Sequence, residues 1–470
     1  MKKPFDFYSK EKSELEKEAT QLKRKSINLS VFRFGVFLTT CFLIYLTFGS
    51  YPDVFIISFL GVLLFGFLVV KHLNLKRARA IINSKININR TELEILNRNF
   101  HQLDSGEEFV NQTHYYSHDI DLFGVGSFFQ YANRTVTVEG RKLLANAFTE
   151  NKINGVVEKQ NTIKELAKKV KWRQHFSALA SLIPTKDTSG FITDWILNYT
   201  PVLSKYLAKF QFVFSLISLI FIGLVFFGVI PFSILLLWFF IGLFVTGRFL
   251  KKTSNLYSDT DKVRETFKQY HILLNEIENE NFSSKVLKGK QEIISSETKK
   301  ASLIFKEFSR ILDAFDQRNN ILIAVVGNGL FLTEINNACK VEKWISKYKH
   351  TVEKWFSVVA FFDAQNSLAN FHFNHTTFIF PEIIVEKGIM KSTNLGHPLL
   401  KVDKRIDNDF TIDKEQFFIV TGANMAGKST FIKTIGIVLY LAHIGIGVPA
   451  KKLALTLFDG LITNLTIADN

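Results

Sequence analysis

The 470-residue chain has only two cysteines and eight prolines, and both scarcities exclude something. Cys41 and Cys339 cannot build a disulfide framework, and Cys41 lies inside an apolar run, a usage that suits a reducing compartment. There is no internal repeat and no low-complexity linker. Acidic residues are outnumbered, with 43 Asp and Glu against 58 Lys and Arg, a formal net charge of +15. That balance favours polyanions: nucleic acid, anionic lipid or nucleotide. Charge does not choose among them, because lysines beside a membrane serve the positive-inside rule equally well. His114, His118, His372 and His375 have no cysteines beside them and no H-x₃-H spacing on a secure helix, so no metal centre is expected.

What the chain has in quantity is long apolar sequence. Val31 to Phe48 and Val54 to Val70 are separated by the turn-rich Gly49-Ser50-Tyr51-Pro52-Asp53. Phe212 to Gly247 would span about 54 Å as one helix, nearly twice the hydrocarbon core of a bilayer. Gly228 and Pro231 offer a place to fold it into two passes. The expectation is two transmembrane helical hairpins, four spans in all, with Arg33 placed where it can snorkel to the interface. Basic residues flank every outer end: Lys23, Arg24 and Lys25; Lys71, Lys76, Arg77 and Arg79; Lys205 and Lys209; Arg248, Lys251 and Lys252. Neither inter-helix turn has a lysine or arginine, so all soluble segments are assigned to the cytoplasmic side of the cell membrane.

Between the hairpins, 77–100 and 141–179 have helical spacing, and 119–131 is rich in glycine and aromatics. After the second hairpin, 259–279 and 299–319 carry the stripe of amphipathic helices. Ile321 to Leu332 is apolar but short, which predicts a buried core helix rather than a span. Trp344 and Trp355 are read as core packing rather than a nucleic-acid platform. Lys164 to Arg173 is read as a solvated helix face in preference to a DNA-facing patch. From Pro381 the texture changes to short apolar runs split by glycine, proline and asparagine, which reads as α/β.

One stretch names a ligand. Within Thr421 to Thr430, Gly422, Gly427, Lys428 and Ser429 complete G-x-x-x-x-G-K-[ST]. Such a loop converges backbone N–H groups on phosphate oxygens, sends its lysine to the β- and γ-phosphates and places its hydroxyl on Mg²⁺. The apolar run Phe417-Phe418-Ile419-Val420 predicts a buried strand before it. Phe431 to His443 predicts a helix whose N-terminal dipole faces the phosphates. The candidate nucleotide site is therefore Gly422, Ala423, Asn424, Met425, Ala426, Gly427, Lys428, Ser429 and Thr430, with Ser429 on Mg²⁺. His443 is added as a residue that can pack in the core or reach the base. His397 is read as a turn residue in preference to a nucleotide contact.

The spelling Thr421-Gly422, Asn424-Met425, Gly427-Lys428-Ser429-Thr430 resembles the MutS family of DNA mismatch-repair ATPases. Ala442-His443-Ile444-Gly445 and Val448-Pro449-Ala450 are similar to its continuation, and His397-Pro398 and Asn408-Asp409 to elements that precede it. Asp121 to Gly124, Ser127 to Phe129, Asn133 to Thr135 and Gly140 to Leu144 resemble the start of the family's core domain. Gln160 to Leu166 is similar to one of its helices, with Lys159 where arginine is usual.

The resemblance implies a multidomain protein. It would have a mainly α-helical core and lever carrying the two hairpins, followed by an α/β P-loop ATPase domain of ABC type. It also implies ATP and Mg²⁺ as ligands, double-stranded DNA as partner, and a homodimer formed through the ATPase domain. The expected segments are 1–30 cytoplasmic, 31–71 hairpin, 72–210 core, 211–247 hairpin, 248–380 core and lever, and 381–470 ATPase portion. A mismatch-reading domain is not identified. Phe148-Thr149-Glu150, Phe305-Lys306-Glu307 and Phe380-Pro381-Glu382 have the wedge spacing but not its setting. Arg405 stands near where relatives carry an adenine-stacking aromatic. No Walker B carboxylate pair follows Lys428, so hydrolysis is assigned to a longer protein. The rival functions are an ABC-like membrane transport ATPase and a non-catalytic nucleotide-binding membrane scaffold.

Overall fold

The computed structural model describes residues 2–150, 154–182, 189–295, 299–384, 388–413, 416–423, 427–458 and 460–463. The chain divides into two compact units, one of residues 1–134, 144–182 and 365–470 and the other of 135–143 and 183–364. It begins with two very long helices, α1 (Lys2–Leu46) and α2 (Tyr51–Leu96). Short helices follow: α3 (Phe128–Ala132), α4 (Val138–Thr149), α5 (Val156–Lys168), α6 (Val170–Ser181) and α7 (Ser189–Asn198). Next come α8 (Lys205–Phe226) and the 48-residue α9 (Phe232–Asn279), then α10 (Lys285–Ser295) and α11 (Ala301–Asp316). The helical part ends with α12 (Ile321–Phe331), α13 (Thr333–Tyr348) and α14 (Val352–Asn374). Strands β1 (Glu382–Ile384), β2 (Met390–Leu395) and β3 (Asn408–Ile412) precede α15 (Lys428–His443) and β4 (Lys452–Thr456).

Helices α1, α2, α8 and α9 are each long and apolar enough to cross a membrane, and their most apolar stretches are almost wholly exposed. In the first unit α1 and α2 form a hairpin that closes tightly at Gly61, where an added Cβ would strike the Thr40 side chain. Small residues at such a contact let two backbones approach. The Arg33 guanidinium lies 5.7 Å from the Phe65 ring centre. In the second unit the chain reverses between α8 and α9 as the turn chemistry predicts. Gly228 takes φ +71, which favours glycine, and Pro231 stands at the N-cap of α9.

Each unit has an aromatic core. Phe128, Phe129, Phe148, Tyr116 and Tyr440 are wholly buried in the first. Phe267, Phe305 and Phe308 are wholly buried in the second, and Trp344 stacks on Phe308 at 3.9 Å. Trp355 is also fully buried, as the core reading of both tryptophans expected. So are Phe148 and Phe305, whose rings are core and not wedges.

A buried carboxylate orders the second unit. Asp363 on α14 accepts from the backbone N–H groups of Val136 (3.0 Å) and Thr137 (2.8 Å) and from the Thr137 hydroxyl (2.6 Å). The Thr137 hydroxyl in turn accepts from Gly140 N–H, which caps the first turn of α4. Gly140 has no room for a side chain, because its Cβ would collide with Asp363. Burial pushes the Asp363 carboxyl from 3.8 up to about 6, against the lowering effect of the Thr137 and Val136 hydrogen bonds. A raised native pKa means that the folded state holds the proton more tightly than the unfolded chain. The contribution is therefore fully present below pH 3.8 and lost as pH rises through about 6. Asp363→Asn is expected to remove this dependence. In melts from about pH 4 to about pH 7, the advantage of the parent over the variant should shrink with rising pH. A gap that widens instead would refute the assignment.

Two expectations are corrected. The 321–332 stretch is helical but not a core helix: Ile321 and Leu322 are each 74% exposed, and only Asn328 and Gly329 of α12 are buried. Its length excludes a span but does not say how many neighbours cover it. Phe417 to Val420 is neither strand nor buried, with Phe417 84% and Ile419 78% exposed. The sheet has the order β1-β4-β2-β3, with β1 parallel to β4 and β2 antiparallel to both β4 and β3. No strand among the described residues pairs with 417–420, and an apolar strand needs such pairing to be covered.

Candidate nucleotide-binding loop

Gly427 has φ +84 at the N-cap of α15, and its carbonyl accepts the first helical bond, from Phe431 N–H (2.9 Å). A side chain would strain that left-handed conformation. Lys428 opens the helix, and its Nζ donates to the carbonyls of Gly422 and Ala423, the latter at 3.1 Å. The structure thus brings Gly422, Ala423, Gly427 and Lys428 together at a helix N-terminus, where the dipole and the first-turn N–H groups of a helix favour an anion. Ser429 and Thr430 follow in the first turn, exposed. Asn424, Met425 and Ala426 lie outside the described residues. Phe410 on β3 contacts both Phe418 and Phe431, at 5.4 and 5.8 Å, and so holds the loop against the sheet edge.

The other end of α15 is anchored in the core. From Thr434 onward most residues are buried; Gly436 faces Ile120, and the Tyr440 hydroxyl donates to the Ala147 carbonyl at 2.5 Å. Lys433 pairs with Asp121 at 2.6 Å, which ties the loop end to the first core segment. The helix stops at Gly445, φ +82, whose N–H bonds to Ala442, while Ile446 N–H reaches back to Leu441. This is a Schellman-type end that a side chain would disturb, both by strain and by collision with Lys159.

His443 is not brought to the loop. It lies about 22 Å along α15 from Lys428 by helix rise, is buried, and accepts at Nε2 from Phe458 N–H (3.3 Å). Burial, with Lys159 nearby, lowers its pKa to about 4, so the ring is neutral. His397 is half-buried and also lowered to about 4 by burial, and its Nδ1 accepts from Leu399 N–H, a turn-stabilising bond. Arg98 donates to the carbonyls of Leu399 and Leu400 and fixes the same turn. The Arg405 guanidinium is forked onto Asp407 at 2.5 and 3.0 Å.

One feature of the second unit escaped the sequence reading. A groove of about 1020 Å³ between α11 and α13 is lined by Lys306, Arg310, Lys340, Lys343 and Lys347, with Trp344 at its floor. Lysines recurring at three- and four-residue spacing on α13 were the available signal. In contrast, the Lys164 to Arg173 stretch is partly consumed internally. Lys164 covers the Phe380 ring at 4.5 Å, Lys171 pairs with Glu11 at 3.1 Å, and Arg173 is buried.

Residues 418–470 match the family model described as MutS domain V, which classes the C-terminal segment. The chain is similar to "DNA mismatch repair protein MutS" of Petrotoga mobilis, 33% identical over 138 residues, and of Thermotoga petrophila, 31% over 137. It is also similar to that of Staphylococcus haemolyticus, 26% over 165 residues. The C-terminal segment is thus MutS-like, and the likeness covers part of the chain. The alignments take in 28% of this chain and 16% of the first two relatives, and 34% and 18% for the third. The chain therefore spans less than a fifth of the length of the curated relatives it matches.

Proposed function

We propose that this chain is part of a membrane-anchored, MutS-like ATP-binding protein in which Mg·ATP at residues 422–430 switches conformation and duplex DNA is the macromolecular partner. The observation that carries the reading is the Gly427–Lys428 helix start on a helix anchored, through Gly436 and Tyr440, in the buried core of its unit. A charge change at the phosphate end is thereby transmitted to packed side chains. Ser429 is the residue that would hold Mg²⁺, which would neutralise the β- and γ-phosphates. Anchoring rests on the four long apolar helices, and the cytoplasmic placement on their basic flanks. Dimerisation through the nucleotide-binding segment follows from the family.

The DNA part of the reading is supported by the cationic α11–α13 groove and the relatives' names. The full chain in zwitterionic nanodiscs is expected to bind a fluorescent duplex at low salt, and to lose at least about tenfold in affinity between 50 and 200 mM salt. Paired Lys340→Glu and Lys343→Glu changes should cost about another tenfold, with matched and mismatched duplexes affected alike. Absence of binding at low salt would leave a nucleotide-binding scaffold. Mismatch selectivity of tenfold or more, a modest specific ratio, would contradict the shape-blind groove.

A further inference from the structure

Helix α12 has a construction unlike that of a surface helix. Its 11 residues, Ile321–Phe331, contain no charge, and Ile321, Leu322 and Val326 are 74%, 74% and 51% exposed. Its opposite face is pressed against α9. A Cβ on Gly242 would collide with the Gly329 carbonyl, and one on Gly329 with the Phe239 ring, so the two backbones touch. The helix begins beside Ser254 and Tyr257 of α9: Arg318 donates to the Ser254 hydroxyl (2.7 Å) and Asn319 to the Tyr257 hydroxyl (2.7 Å). From there to Gly242 is about 18 Å along α9, which α12 covers with its own length of about 17 Å. It therefore rises from beyond the basic flank Arg248-Lys251-Lys252 into the apolar run.

There the chain turns back. Leu332 adopts φ +49, and α13 leaves at 84° to α12. The turn sits among Phe214, Ile335, Trp238 and Val245. Its polar groups are met from within. The Phe331 carbonyl accepts from Gln211 (3.0 Å) and Ser215 (3.2 Å), two polar residues inside the apolar α8. Asn328 Oδ1 accepts from Glu334 N–H (2.9 Å) and the Thr333 hydroxyl (3.1 Å). Glu334 accepts from the Thr253 hydroxyl and pairs with Arg318 (3.2 Å) at the level where α12 begins. A break exposed to water needs no such provision, whereas a break at hydrocarbon depth does.

We infer that α12 is a re-entrant helix. It dips about 9 Å past Arg248 into the cytoplasmic leaflet and returns through α13, and its exposed face is covered by lipid, with Ile321 and Leu322 at the headgroup level and Val326 at the start of the acyl chains. The inference rests on the membrane reading of α8 and α9 and adds a third inserted element to that hairpin.

The test uses the full chain with Cys41→Ser and Cys339→Ala, reconstituted in phosphatidylcholine vesicles and labelled with an environment-sensitive fluorophore. The label is placed at Val326→Cys, at Phe244→Cys on α9, or at Lys343→Cys on α13. The labels at 326 and 244 are expected to lose most of their emission to brominated lipids and little to aqueous iodide, and the label at 343 to do the reverse. Lipid quenching at 244 with iodide quenching at 326 overturns the re-entrant helix and leaves the hairpin standing. Protection of 326 from both quenchers places protein over it and also overturns the inference. Failure of lipid quenching at 244 removes the membrane reading itself, and the re-entrant helix with it.

Discussion

Lys428→Ala is expected to weaken Mg·ATP binding about a hundredfold, the ~2.7 kcal/mol of a strong charge-assisted contact to phosphate. Lys428 stands at the first turn of α15, and its ammonium already lies within the loop, bonded to the Gly422 and Ala423 carbonyls. A triphosphate seated on the helix N-terminus would take over that ammonium as its strongest cationic contact. The backbone N–H groups would remain, so residual weak binding is consistent with the site. The measurement is Mg²⁺-dependent binding of a fluorescent ATP analogue to inverted membrane vesicles, with the amount of inserted protein checked in parallel. Sealed vesicles of the opposite orientation should bind none if, as proposed from the basic flanks, the loop faces the cytoplasm. Undiminished affinity in the variant would sink the phosphate-loop assignment. Binding only in right-side-out vesicles would sink the topology.

The largest effect on stability is expected from Glu92→Ala. Glu92 on α2 is 2% exposed and accepts from Arg134 Nε (2.7 Å) and from the Asn374 amide (2.6 Å). Asn374 Oδ1 in turn accepts from the Tyr8 hydroxyl of α1 (2.8 Å), and Asn370 accepts from Arg173 of α6 (2.8 Å) and from Tyr8. One buried polar network therefore joins α1, α2, α6 and α14. Deleting the carboxylate strands a guanidinium and an amide in low dielectric. Such losses cost about 3–5 kcal/mol, a drop in melting temperature of roughly 10 °C. Replacing Glu92 and Arg134 together by methionine should restore part of it, since no buried charge is then left unpaired, while the Asn374 amide still lacks its acceptor. A shift of under about 2 °C in Glu92→Ala would mean that water reaches the stranded groups.

The parts of this structure that were legible in sequence are those decided locally. Gly228 and Pro231 end one helix and start the next by their own backbone preferences, and Gly427 starts α15 for the same reason. The helical texture of 259–279 and 299–316 follows from a stripe repeated every three to four residues. What depends on distant partners was not legible. An apolar tetrapeptide at 417–420 reads as strand, yet pairing needs neighbours that no local pattern announces. The 321–332 run reads as core because its length rules out a span, but the spacing of Gly327 and Gly329 does not reveal which helix they meet. Gln211 and Ser215 within an apolar run were the available hint. For His443 the information was present: a helix running unbroken from Lys428 carries that residue too far away to meet the same ligand.

Helix α9 continues from its apolar portion to Asn279 over 48 residues, about 72 Å, and beyond Gly247 it contains neither glycine nor proline. Sharp bends in helices arise at such residues or at inserted side chains, so this rod has no built-in knee. A tilt of one degree about its far end would displace the other by about 1 Å. With the apolar end in a bilayer, as proposed above, a rearrangement around Leu273 and Leu274 would be felt there as leaning, with the lipid acting as the spring that resists it.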